Sequence, residues 1–498
     1  MLERGEVSVF TDGSSVQAQA GRIDVHLLAG LRSIVGERHV LERQGQRLAY
    51  ATDGLPGYRK IPRVAVFPGS RGEVVDVVRL LAESGTPFVP RGAGTGLSGG
   101  ALADDIVLVG VHRLKQILDV DVVRRVATVE PGVVNATLNR ALAAHGLFYA
   151  PDPSSETACT IGGNVAENAG GPHCLKYGVT LNHVLATTIV LPNGEVIALG
   201  DASGAMVGYD LLGAFVGSEG CFGIALDVTV KLTRKPEAVR TLLADFTSVE
   251  AAAHATSAII ASGIVPAALE FMDGATIRVV EASIYAAGYP ADAAAILLIE
   301  LDGAVEGIDE DAAIVRELCV SAGARTVMTA RNDRERTTLW QGRKKAFGAM
   351  GRVARHLVVQ DAVVPRTKLP GILARIQAIG EEHGVSVCNV FHAGDGNLHP
   401  NIPYDADDAA EADRVHHAMS AIMHACIEAG GSITGEHGVG LDKIGYMDAL
   451  FTRETLAAMC GVRDVFDPER RANPGKVVPV HACREWHGVR GVARGPRP

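Results

Sequence analysis

The chain has 498 residues, 47 lysines and arginines against 57 aspartates and glutamates, and a formal charge of -10, which gives a moderately acidic chain with length for two or three domains. Aromatic residues make up 5% while glycines number 57, a balance that favours small aliphatic packing and backbone-lined loops. An acidic chain without a basic stripe lacks the phosphate-binding footprint of a nucleic-acid partner, so that class is excluded.

The opening residues run on without the apolar core of a signal peptide, so no secretory leader is expected. The longest apolar stretch, 251–269, is interrupted by His254, Ser257, Ser262, Gly263 and Pro266. No membrane span is expected, and the chain reads as cytoplasmic. The eight cysteines (Cys159, Cys174, Cys221, Cys319, Cys388, Cys426, Cys460 and Cys483) are scattered singly, so reduced thiols are expected. With no C-x-x-C pair, an iron–sulfur cluster or a zinc ribbon within this chain is disfavoured.

Residues 1–59 read as a helical N-terminal segment. A capping box at Ser70 and Glu73 then opens a helix with Val74, Val77, Val78 and Leu81 on one face and Gly85 as terminator. A strand over 87–90 leads into Arg91-Gly-Ala-Gly-Thr-Gly-Leu-Ser-Gly-Gly-Ala101, where Gly94, Gly96 and Gly99 fit G-x-G-x-x-G. Gly99 and Gly100 would break a helix and 106–111 is β-branched, so this loop joins strand to strand and is no Rossmann turn. A second unit has a strand over 126–129, the turn Pro131-Gly132, a helix capped by Asn135 with Leu138 and Leu142 inward, and a strand over 148–150. It feeds two further glycine-rich loops, Thr160 to Gly171 and Gly217 to Gly223, the latter before a strand over 224–232. Lys235-Pro236 marks a domain boundary, so residues 60–235 form one unit.

Beyond it, strands over 241–246, 267–272, 295–301 and 325–328 alternate with helices, two of them over 248–261 and 309–322, in a ferredoxin-like pattern. A partial second copy runs through a strand over 356–364, a helix over 370–383, a hairpin over 385–404 and a helix over 407–429. The fold class is α+β, with 236–480 as an antiparallel-sheet substrate domain ending in a small helical part. Residues 481–498, with four arginines, three glycines and no periodicity, read as a loosely ordered tail.

Glycine-rich loops between strands present consecutive backbone N–H groups to an anion such as a pyrophosphate. Simple tight turns are the alternative; three such loops, with Asn164 and Asn168 adding amides, favour a phosphate-bearing cofactor. Together with Pro151-Asp-Pro-Ser-Ser and His173-Cys-Leu-Lys-Tyr-Gly178, they resemble the FAD domain of the vanillyl-alcohol-oxidase and p-cresol-methylhydroxylase (PCMH) superfamily. Within it, the FAD-linked subunits of bacterial glycolate oxidases are most alike, with D-lactate and D-2-hydroxyglutarate dehydrogenases near. The resemblance implies a PCMH-type FAD-binding domain of two α+β subdomains. It puts Arg91, Gly92, Ala93, Gly94, Thr95, Gly96, Leu97 and Ser98 around the FAD pyrophosphate. Asp152, Gly162, Gly163, Asn164, Asn168, Gly171, Glu219, Gly223 and Ile224 would complete the isoalloxazine and ribose contacts, and Asn473 would reach the cofactor from the C-terminal end. Several superfamily members tether flavin through a histidine in the first loop; residues 91–101 contain none, so non-covalent FAD is expected.

The second constellation is His392-Ala-Gly-Asp-Gly-Asn-Leu-His399, an Asp395-Gly396 hairpin turn whose strands each bring one imidazole to the tip. Such a pair is either a metal site or two rim residues beside a turn-stabilising Asp395. Glu436-His437, between Gly435 and Gly438, favours the former, because His392, His399 and Glu436 make a three-ligand set with an open position for a substrate oxygen. The resemblance agrees, placing a divalent metal, with zinc the expected ion, on those three and the base on His437. A 2-hydroxy acid yields its α-hydride to flavin only as its hydroxyl proton leaves, and a neutral imidazole can take that proton. Arg343 is the family-matched partner for the substrate carboxylate, and Asn401, two residues past His399, is placed on the same strand face to hydrogen-bond the substrate. Lys344 and Lys345 read as solvated charges, and His416, His417 and His424 as surface or rim positions. Asp361 is left outside the site.

The leading expectation is oxidation of a small D-2-hydroxy acid, glycolate or D-lactate. The resemblance further implies an iron–sulfur subunit and a second FAD-domain subunit as partners, through which the chain would associate with a membrane. The alternatives are a stand-alone D-lactate or D-2-hydroxyglutarate dehydrogenase, an FAD-dependent alkyl transferase, and a zinc hydrolase.

Overall fold

A computed structural model of the chain describes residues 24–479 apart from 56, 206 and 207; the expected tail, Cys483 and the start of the N-terminal segment lie outside them. The helix Val25–Val35 buries Leu27, Leu31 and Val35 beside the helix Arg71–Glu83, whose Val74, Val77, Val78 and Leu81 form the matching stripe. Ser70 caps the second helix as expected, accepting from the Glu73 N–H at 3.2 Å, while the Glu73 carboxylate reaches back to the N–H of Gly69. These helices pack on a four-stranded sheet in the order Val40–Leu41, Val64–Val66, Val107–Gly110, Phe88–Arg91, parallel except for the first pair. Val40–Leu41, which precedes residue 60, pairs with Val64–Val66 and so extends this layer.

The second subdomain is a five-stranded antiparallel sheet, Ile117–Asp121, Val126–Val129, Ile224–Lys231, Val184–Val190, Val196–Gly200. The structure corrects two expectations here. Asn135 is the first residue inside the helix Asn135–Leu142 and does not cap it; its amide donates to the carbonyl of Pro151 at 2.8 Å and so ties the helix to the next loop. Residues 160–171 are not one continuous loop either: Thr160 caps a short helix, Ile161–Glu167, by accepting from Gly163 N–H, and Asn168 ends it with φ +52°.

The C-terminal half is one nine-stranded antiparallel sheet. Its spine runs Ala324–Thr329, Ala238–Phe246, Ala295–Gly303, Ala268–Asp273, Cys388–His392, Asn397–Leu398, Ala362–Val363, and His356–Val359 and Pro400–Tyr404 branch from it. The two ferredoxin-like patterns are therefore not separate copies, since Ala268–Asp273 of the first pairs with Cys388–His392 of the second. Strand alternation sorts the two faces. Leu269, Phe271, Leu297, Ile299 and Phe391 pack under the helices Val249–Ala261, Ile308–Ser321, Leu369–His383 and Ala409–Glu428. Ala268, Met272, Ile296, Leu298 and Val390 face the helices Gly274–Glu281, Asp333–Lys344 and Ala346–Met350, of which the last two were not foreseen. The same alternation puts Glu270, Glu300 and His392 on this second face, where His173 of the N-terminal half meets Glu300 at 3.5 Å. Among the described residues no helix is long and apolar enough to cross a membrane, and seven cysteines are free.

Candidate active site

A cavity of about 350 Å³ is lined by the glycine-rich loops together with Arg343, His392, His399, Glu436 and His437. Of the residues expected at FAD, Arg91 to Leu97, Gly162, Gly163, Asn164, Glu219, Gly223 and Ile224 line it. Among the described residues the backbone N–H groups of Gly92 to Leu97 donate to no protein acceptor. The Asn164 amide nitrogen and the Ser218 hydroxyl, also in the lining, are buried without a partner. Buried donors are normally satisfied, and this run of free N–H groups with orphaned polar side chains fits a diphosphate and the polar edge of a flavin.

The remaining expected residues stand behind the lining and hold it. Ser98 is fully buried, and its carbonyl accepts from Leu441 and Asp442. Asp152 takes the His173 ring at 2.8 Å, and Asn168 accepts from the N–H of Leu181. Gly171 passes so close to Asp152 that a Cβ there would lie 2.5 Å from its carbonyl oxygen. Asn473 donates to the carbonyls of Gly100 at 2.9 Å and Glu219 at 2.6 Å, clamping the first loop to the third. Arg91 lines the cavity, yet its guanidinium donates to the carbonyls of Thr52, Ala101 and Tyr50, so it braces the loop. Glu167 lines the cavity beside Glu219 and was missed; burial pushes both carboxyls up.

In the C-terminal half, His392 closes its strand opposite Asn397, and Gly396 takes the turn at φ +82°, a region that favours glycine. Glu436 Oε1 lies 3.3 Å from His392 Nε2 and 3.2 Å from His399 Nε2. Each imidazole has its other nitrogen engaged, His392 Nδ1 with Glu270 Oε1 at 2.8 Å and His399 Nδ1 with the Gln360 carbonyl at 3.2 Å. Two Nε2 atoms converging on one carboxylate oxygen, with the Nδ1 atoms anchored behind, fit a divalent cation held by N and O ligands. Burial opposes ionisation of Glu436, but His392 and His399 outweigh it and hold the carboxyl well below the usual range. His437 stacks on His399 at 4.9 Å; burial lowers its pKa to about 4, and its Nδ1 has no partner.

What fixes Glu436 and His437 is Asp361. Its fully buried carboxylate accepts from the Thr434 hydroxyl at 2.6 Å, from the backbone N–H groups of Gly435 at 2.9 Å, Glu436 at 3.3 Å and His437 at 3.0 Å, and from Lys443 Nζ at 3.0 Å. Asp361, His399 and His437 also lie close enough together to hold a cation. His399 faces Asp361 Oδ1 with Nδ1, at 3.9 Å, the nitrogen already engaged with the Gln360 carbonyl, so the His392, His399, Glu436 set, which uses Nε2, is the better fit.

Arg343 is 2% exposed and ion-pairs through Nη2 with Glu270 Oε2 at 2.5 Å, while its Nε is buried without a partner. Lys344 is not a solvated charge: it pairs with Glu156 of the FAD-binding half at 3.0 Å, whereas Lys345 is exposed as expected. Asn401 does not line the cavity. It is fully buried, and its amide donates to the carbonyls of Cys388 at 3.2 Å and His399 at 2.5 Å. The strand breaks at His399, between Asn397–Leu398 and Pro400–Tyr404, so alternation does not carry across that residue. His416 is half-buried and His417 and His424 are exposed, outside the cavity.

Residues 62–200 match the FAD binding domain and residues 235–477 the C-terminal domain of FAD linked oxidases. The chain is 45% identical to glycolate oxidase subunit GlcD of Escherichia coli, over 95% of each chain. It is 33% identical to D-lactate dehydrogenase of Anaerostipes hadrus, covering 84% of this chain and 89% of that one. The structure of p-cresol methylhydroxylase with substrate bound superposes with a TM-score of 0.79 at 15% identity, over 92% of this chain and 97% of that one, which shows the shared PCMH-type fold. The chain therefore belongs to the FAD-linked oxidases, as an FAD-dependent oxidoreductase of the family that includes the glycolate oxidase subunit GlcD.

Proposed function

We propose that this FAD-dependent hydroxy-acid oxidoreductase oxidises glycolate or a small D-2-hydroxy acid such as D-lactate to the 2-oxo acid, with FAD held non-covalently and zinc or another divalent cation on His392, His399 and Glu436. The observation that carries the reading is the single cavity in which the flavin loops face these three residues together with Arg343 and His437. When bound, the cation withdraws electron density from the substrate hydroxyl, and FAD accepts the hydride. Arg343, in the lining of the cavity, orients the substrate carboxylate. His437 is neutral near pH 7, because its pKa lies near 4, and takes the hydroxyl proton as the α-hydrogen departs. Asp361 and Lys443 keep the backbone of Glu436 and His437 in place for both roles.

The relatives at 45% and 33% identity favour hydroxy-acid oxidation over alkyl transfer and hydrolysis. The reduced cofactor must pass its electrons on. The GlcD relative is a subunit, which supports a complex. In it an iron–sulfur subunit and a second FAD-domain subunit receive the electrons and bring the chain to a membrane. The second reading, a stand-alone D-lactate or D-2-hydroxyglutarate dehydrogenase, is supported by the D-lactate dehydrogenase relative. Steady-state reduction of an artificial dye with glycolate, D-lactate, L-lactate and D-2-hydroxyglutarate tests the substrate class; glycolate or D-lactate should give the highest kcat/KM, and a preference for L-lactate would overturn it. Rapid turnover of the isolated chain with a quinone would favour the stand-alone reading.

A further inference from the structure

Among the described residues, Glu270 is the carboxylate that pairs with both Arg343 and His392 without lining the cavity itself. It stands in the strand Ala268–Asp273, directly across the ladder from His392, so the two side chains leave the sheet side by side on the same face. Its exposure is 0%. A carboxylate stripped of water at that depth is tolerated only when both oxygens are paired. Here Oε1 is hydrogen-bonded to His392 Nδ1 at 2.8 Å, and Oε2 is paired by charge with Arg343 Nη2 at 2.5 Å, an ion pair out of line for a hydrogen bond.

We propose that Glu270 is a positioning residue that locks His392 and Arg343 to each other, and so fixes the spacing between the cation that meets the substrate hydroxyl and the guanidinium that meets its carboxylate. The inference rests on the reading of His392 as a metal ligand and of Arg343 as the carboxylate partner. With Nδ1–H donated to Glu270, the imidazole is held in the tautomer whose Nε2 lone pair points at Glu436 and the cation position. The ion pair with Glu270 holds the Nη2 end of the guanidinium of Arg343, a residue of the cavity lining. A 2-hydroxy acid carries its two anchoring groups on adjacent carbons, and a single bridging carboxylate between the two anchors suits that short, fixed separation. Neither wall of the cavity achieves this alone, since His392 comes from the hairpin strand and Arg343 from the helix Asp333–Lys344.

Glu270→Gln keeps the size and an acceptor but removes the charge that holds both partners. With FAD absorbance and thermal melting confirming the fold, zinc affinity of the purified holo-flavoprotein is measured by competition with a chromogenic chelator, and KM is measured at saturating zinc. Loss of a carboxylate behind a ligating histidine typically weakens metal about 10- to 100-fold, and the account expects that loss together with a KM for glycolate or D-lactate raised several-fold. Wild-type affinity with wild-type KM in the variant would overturn the role of Glu270. If instead the wild-type protein takes up no stoichiometric zinc, the metal reading itself fails and the proposal with it, an outcome distinct from the previous one. Should Glu270→Gln not fold, Glu270→Asp retains the charge one methylene short, and the same two measurements decide, with unchanged values again overturning the role.

Discussion

Asp361 and Lys443 form an ion pair at 3.0 Å in which neither side chain is more than 2% exposed. The pair lies under the turn that carries Glu436 and His437, and Asp361 gathers the N–H groups of both. Removing only one member leaves an uncompensated buried charge, which costs on the order of 3–5 kcal/mol. Lys443→Met should therefore lower the unfolding free energy by about that amount in urea titration and cut bound metal, because Asp361, the anchor of the Glu436 backbone, loses its counter-charge. A variant as stable as the wild type would show the carboxylate to be satisfied by the N–H donors alone.

His392→Ala or His399→Ala should reduce bound divalent metal and activity while FAD content stays near wild type, since neither histidine belongs to the glycine-rich loops. Metal analysis beside the flavin spectrum decides; full activity in protein freed of metal by chelation would refute the metal-assisted reading.

Acid precipitation of the yellow protein should leave FAD in the supernatant, because the first loop offers no histidine for a tether. Colour retained by the pellet would mean a covalent link elsewhere.

His437→Ala should keep substrate binding but slow flavin reduction by about 10²- to 10⁴-fold, the usual loss on removing a positioned base. Stopped-flow reduction at wild-type rate would move the base to another group.

His173 joins the two halves. Burial would lower its pKa, but Asp152 at 2.8 Å and Glu300 outweigh that and raise it to about 10. A folded-state pKa above the unfolded value of about 6.5 means the protonated ring stabilises the fold fully below that pH, with the contribution lost as pH rises toward 10. The melting temperature should fall across that window, and His173→Gln should flatten the fall; parallel wild-type and variant profiles would count against the contact.

The hairpin histidines, Glu436 and the flavin loops were legible because each is a short local motif whose residue types already state their chemistry. Glu270 was not, although an acid in the otherwise apolar run Ala268-Leu-Glu-Phe-Met272 signals a buried charge in search of partners. Those partners, His392 and Arg343, lie far along the chain. Asp361 is equally silent in the sequence, since its role comes from backbone donors that no side-chain pattern announces. Asn401 was misplaced by an alternation rule that fails where the strand breaks at His399. The helix Asp333–Lys344 escaped notice because its sequence is mostly charged and polar, with a short buried end at Leu339, Trp340, Gly342 and Arg343.

The most direct test of the central claim is anaerobic mixing of the purified, metal-replete protein with glycolate and with D-lactate while the oxidised flavin band is followed. The account predicts that at least one of them bleaches the flavin in a single turnover and that removing the divalent metal slows or abolishes the bleaching. Flavin that stays oxidised with every 2-hydroxy acid supplied would contradict it.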